Sequence, residues 1–155
     1  MKPINTANRW DTFAKFTGKS QFAAVAAFAR GEEGQFFQDK VAEVAAIVRG
    51  APAIGSTDGQ GDRAPVILHF FHGGSDWWIS ELDQNSGEMF GLADIFGDGG
   101  ELGYIDRDEL LANGVELDLH WTPKTRGEVL RNDPTPPPPM REPVVVRVGQ
   151  FFLAL

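Results

Sequence analysis

The sequence predicts an α+β domain: two N-terminal helices packed on a mostly antiparallel sheet, with an inserted short helix and a C-terminal strand. Three observations carry that prediction. Apolar residues recur every three or four positions up to Gly50; past Pro65 the period falls to two and β-forming residues dominate; and glycine-containing turns punctuate that second region. A chain of 155 residues is enough for one domain that buries a core without disulfide or metal, and the sequence contains no cysteine.

The elements follow in order. SQFAAVAAFARG opens with Ser20 as the expected N-cap and stops at Gly31. After the link GEEG, the stretch GQFFQDKVAEVAAIVRG sets Phe37, Val41, Val44, Ala45 and Val48 at helical spacing and ends at Gly50. APAIGSTDGQGDRAP is a loop by composition. VILHFF (Val66 to Phe71) is apolar on both faces, as a central strand would be; HGGSD turns and WWISEL returns, which makes a hairpin. EMFGLADIF and ELGYI are a third and a fourth strand. DRDELLANG is a short helix with Asp106 at the N-cap, Glu109 three residues on and Asn113-Gly114 at the stop. In VELDLHW, alternation sends Leu117, Leu119 and Trp121 one way and Glu116, Asp118 and His120 the other. The domain is expected to span residues 1–130. Its four consecutive prolines make 131–143 an extended spacer, and 144–155 a strand that returns to the domain or to a partner copy.

Composition excludes some functions. A net charge of −8 speaks against direct nucleic-acid binding, which needs a basic stripe. From Asp76 to Asp118 twelve acids face one base, Arg107, a net of −11, so the remainder carries +3. The acidity belongs to one segment. No apolar run reaches the roughly 20 residues of a membrane span or resembles a signal peptide, so a cytoplasmic location without membrane contact is expected.

Candidate chemistry is sparse. His69, His72 and His120 could be metal ligands, but residues three apart on a strand face opposite sides. Asp118 and His120 share a strand face, an orienting carboxylate beside a base, yet no serine sits in a nucleophile elbow. FGDGGELG is glycine-rich but lacks the lysine of a phosphate loop, and Asp94, Asp98, Glu101 and Asp106 do not follow calcium-loop spacing. The expectation is no cofactor and no metal. Trp77 and Trp78, being adjacent, must lie on opposite faces, one of them free to serve as core or interface anchor.

The ordered set W-x-x-x-E-L-D, F-G-L-A-D, E-L-G-Y-I and E-L-D-L-H-W-T-P, over Asp76 to Pro123, resembles a single-domain family of unknown function carried on plasmids, integrative elements and phages, domain of unknown function 2958. The resemblance implies a mobile-element setting and brings no established reaction. It makes Glu81, Asp83, Glu101, Tyr104 and Asp118 motif positions.

The expected function is therefore non-enzymatic. The chain would be an accessory protein that inhibits a host protein with a basic surface, an anti-defence role in which an acidic face imitates DNA phosphate. The expected binding residues are Trp77, Trp78, Glu81, Asp83, Asp94, Asp98, Glu101, Tyr104 and Asp118. The alternatives are a metal-assisted hydrolase using His69, His120 and nearby carboxylates, and a homodimer whose acidity only keeps it soluble.

Overall fold

A computed structural model of the chain describes residues 6–131. The expected proline spacer and C-terminal strand lie outside the described residues. The α+β architecture is as predicted, with helices at the N-terminus against an antiparallel sheet. Three helices precede the sheet, however: α1 (Thr6–Lys15), α2 (Lys19–Phe28) and α3 (Gly34–Arg49). In α1 the rings of Trp10 and Phe13 recur at helical spacing, with Phe16 three residues further on, and Trp10 meets Phe13 and Phe22 edge-on at 6.0 and 5.8 Å. Ser20 is not the cap of α2. The helix begins one residue earlier, after Gly18 in an extended conformation that makes no side-chain cap.

Two antiparallel sheets follow. The larger has five strands in the order β5 (Glu101–Asp106), β4 (Glu88–Asp94), β3 (Ser75–Leu82), β2 (Leu68–His72) and β6 (Glu116–Leu117). The smaller pairs β1 (Pro65–Val66) with β7 (Lys124–Thr125). The expected strand from Val66 to Phe71 is thus broken at Ile67, whose N–H donates 2.8 Å to the Ile79 carbonyl. His72 pairs with Ser75, so the hairpin turn is only Gly73-Gly74, with Gly73 at φ +59°. Helix α4 (Arg107–Ala112) is capped as expected: the Asp106 carboxylate accepts from the N–H groups of Asp108 and Glu109, and Gly114 ends it at φ +80°. A last helix, α5 (Arg126–Arg131), occupies a stretch that lacks periodicity in the sequence.

Strand alternation divides the large sheet into two faces. Leu68, Phe70, Ile79, Met89, Ile105 and Leu117 form the core with Phe13, Phe16, Val41, Val44 and Val48 of the helices. Trp77 and Ala93 pack against that core. Among the described residues no helix covers the opposite, open face along most of its length. The loop after α3, β1 with β7, and α5 lie at one end of it: the Leu82 N–H donates to the Pro52 carbonyl, and the Trp121 indole donates to the Val66 carbonyl at 3.1 Å.

Candidate functional site

The register assembles the open face row by row. One row reads Leu102, Leu92, Trp78, His69 across β5, β4, β3 and β2; the next reads Asp94, Asp76, Phe71, Glu116 across β4, β3, β2 and β6; a third reads Tyr104, Phe90, Glu81; a fourth Asp106, Glu88. Seven acids stand in the five strands, and no lysine or arginine does. Apolar rings therefore stand among carboxylates that no lysine or arginine of these strands answers.

His69 is the centre of this face. Its Nδ1 lies 2.9 Å from Asp118 Oδ2 and its Nε2 2.8 Å from Asp76 Oδ1. Its ring stacks on Trp78 at 5.5 Å and 12°, with Trp121 at 5.3 Å and Phe71 at 6.1 Å. Burial by these rings would lower its pKa; the hydrogen bonds to Asp76 and Asp118 and their charges outweigh that, and the net shift is upward from 6.5. The geometry fits an imidazolium that donates from both nitrogens. Such a ring has no lone pair to offer a metal or a substrate proton. Among the described residues no three His, Asp or Glu side chains converge on a metal-sized site.

His120 does not join Asp118 as the strand pattern suggests. The chain leaves β6 after Leu117, Asp118 Oδ1 accepts from the His120 N–H, and the turn brings Trp121 instead of His120 to His69. The expected alternation of Leu119 and Trp121 ends there, because a short acidic side chain that bonds its own backbone competes with the ladder. Lys124 lies over the Trp121 ring at 4.8 Å.

The remaining motif acids divide by role. Glu81 is only 2% exposed. One of its oxygens accepts from the Gly55 N–H at 2.7 Å, the other from the Thr57 N–H at 2.9 Å and from the Thr57 hydroxyl. Burial would raise its pKa, but these bonds and Arg126 hold it below the ordinary 4.5. It ties the loop after α3 to the sheet. Asp83 accepts from Asn85 N–H in the turn between β3 and β4. Asp94 accepts from the N–H groups of Gly97 and Asp98 and so shapes the loop before β5; burial pushes its pKa up. Asp98 accepts from Gly100 N–H in the same loop, and Glu101 is exposed at the start of β5. Trp77 faces the helices while Trp78 is on the open face, so the two tryptophans divide as their adjacency requires. Tyr104 is 69% exposed and meets Phe90 edge-on at 5.2 Å. Beside it an open depression is lined by Ser86, Glu88, Tyr104, Ile105, Asp106 and Glu109.

The structure thus brings Trp78, Asp76, Asp118, Asp94 and Tyr104 to one face, turns the half-buried Trp77 to the core on the other, and takes Glu81 out of solvent. Asp76 and His69 acquire their roles only through the β2–β3 register. Among the described residues, no helix is long and apolar enough to cross a membrane. No curated protein and no solved structure matches the chain. Residues 40–126 match the family described as "Protein of unknown function (DUF2958)". That span runs from α3 through the whole of the described sheet to the first residue of α5 and covers more than half of the chain, so the chain belongs to this family.

Proposed function

We propose that the chain is a binding protein, not an enzyme, and that it takes a basic surface of a protein partner on the open face of its sheet. The observation that carries this reading is the face itself: the row Asp94, Asp76, Phe71, Glu116 and its neighbours set carboxylates among rings in strands that hold no lysine or arginine. Rings supply contact area with little rotamer entropy to lose, and the exposed carboxylates, Glu88 and Glu116 among them, supply steering. The histidine centre supports the same reading, because a ring bonded at both nitrogens is suited to holding a surface and not to passing protons. In the mobile-element setting that the sequence resemblance implies, the partner class is a host defence protein with a groove built for phosphate charge. An acidic face would occupy that groove in place of DNA.

The test is capture from host lysate with identification of the partner, followed by association kinetics at low and high salt. Glu88 and Glu116 are exposed, so the double variant Glu88→Lys, Glu116→Lys should leave the fold intact. It is expected to slow association with the basic partner about tenfold or more at low salt, the loss shrinking as salt rises. Capture that ignores both the reversal and the salt would overturn the reading.

A further inference from the structure

The two edges of the large sheet are finished differently. Strand β6 is two residues long, and the Gln21 side chain closes it: its Oε1 accepts from Leu117 N–H at 2.9 Å and its Nε2 donates to the Leu117 carbonyl at 2.8 Å. Strand β5 has no such cover among the described residues. It is six residues long, ELGYID, and it ends the strand order with its outer backbone groups unpaired by any described element. It carries no lysine, no proline and no bulge against β4, the usual guards against strand addition. Leu102, at 50% exposure, and Tyr104 stand out from it into solvent.

Resting on the acidic-face reading, we propose that β5 is the docking edge and that its occupant is an extended segment of the partner bearing cationic side chains. The segment adds as a sixth strand. Charge selects this occupant. Antiparallel partners share a face, so a second copy paired about Gly103 would set Glu101 against Ile105, and one paired about Tyr104 would set Asp106 against Leu102; neither offers these carboxylates a cation from the added strand. A lysine or arginine in the same places pairs favourably instead. The depression beside Tyr104 offers Glu88 and Glu109 to a cationic side chain on the open face, and Leu102 and Tyr104 offer apolar surface to its neighbours.

The experiment uses the full chain and fluorescein-labelled decapeptides read by anisotropy: one alternating lysine with valine and threonine, one with every lysine replaced by glutamate, and one with proline at alternate positions. The lysine peptide is expected to bind and to protect from deuterium exchange those amides of Leu102–Asp106 that point away from β4, and the other two are expected not to bind. The double variant Leu102→Lys, Tyr104→Lys, whose sites are exposed, should weaken binding at least tenfold with an unchanged circular-dichroism spectrum. Glu88→Gln with Glu109→Gln should flatten the salt dependence. Equal binding of the proline peptide, or salt-dependent capture of a basic partner that ignores Leu102→Lys and Tyr104→Lys, overturns the docking edge and leaves the acidic-face reading standing. Protection, already present in the free chain, of the β5 amides that point away from β4 means that a second copy or another part of the chain holds the edge, and also overturns it. Failure of every cationic probe together with loss of lysate capture overturns both.

Discussion

At the scale of single residues the informative one is His69, whose two ring nitrogens each meet a carboxylate. Its pKa in the folded chain is raised above the ordinary 6.5 despite burial. A group with a raised folded-state value contributes stability that is fully present below the unfolded value and is lost as pH rises through the folded one. The His69 contribution is therefore complete below about pH 6.5 and disappears on the alkaline side of its folded-state value. Hydrogen bonds to charged groups are worth about 1.5–3 kcal/mol each way. The wild type is expected to lose roughly 1–3 kcal/mol relative to His69→Gln between pH 6 and alkaline conditions, measured by urea unfolding. The same shift places the midpoint of the His69 ring-proton titration, followed by NMR, above 6.5. A midpoint at or below 6.5 would mean that desolvation wins and that the two carboxylates do not hold a cation. None of this is legible in the chain order. Asp76 stands seven positions from His69 and Asp118 forty-nine, and only the pairing of β2 with β3 and β6 brings them together.

Elements were legible where one residue type has one local job. Asp106 reads as a cap and is one, Gly114 reads as a stop and takes a positive φ, and HGGSD reads as a hairpin turn, which the pairing of His72 with Ser75 tightens to Gly73-Gly74. Helix α5 is also written in the sequence, by a sign other than periodicity: Thr125-x-x-Glu128 is a capping box. The Thr125 hydroxyl accepts from the Glu128 N–H at 3.1 Å, and Glu128 Oε1 accepts from the Thr125 N–H at 2.9 Å. What periodicity cannot give is the end of an alternating run, since VELDLHW keeps its pattern past the point where Asp118 turns the chain. It also cannot give close approach between strands. Gly91 sits beside the bulge between Ile79 and Glu81, and a Cβ there would lie 2.0 Å from the Trp78 carbonyl oxygen. Backbone cannot retreat as a flexible side chain would, so Gly91→Ala is expected to cost about 1–3 kcal/mol or more. Thermal melting should register a fall of roughly 2–4 °C per kcal/mol for a chain of this size. An unchanged melting temperature would show that β3 and β4 are further apart there than described. Gly103→Ala, at a site with open space around it, is the matched control.

For the whole molecule the decisive quantity is where charge sits relative to the core. The helices and the five-stranded sheet share one apolar layer, and apart from His69 the charged residues of that sheet are all acids. Asp76 faces Asp94 across β3 and β4; His69 offsets the first, while Asp94 leans on backbone N–H groups. Like charges held together on one face weaken the folded state through their mutual repulsion, and added salt relieves it. The Debye length falls from about 30 Å at 0.01 M to about 3 Å at 1 M, so repulsion across several strands is screened long before the close pairs around His69 are. The melting temperature is therefore expected to rise by a few degrees as sodium chloride is raised from 0.01 to about 0.5 M. Chloride is the right anion for this measurement, because sulfate would strengthen apolar burial independently of charge. Glu116→Lys places a cation in the row Asp94, Asp76, Phe71, Glu116 and should both raise the low-salt melting temperature and flatten its rise. If sodium chloride lowers the melting temperature, ion pairs and not repulsion dominate this surface. The open face would then be neutralised within the chain, and it would lose the field that a basic partner is proposed to follow.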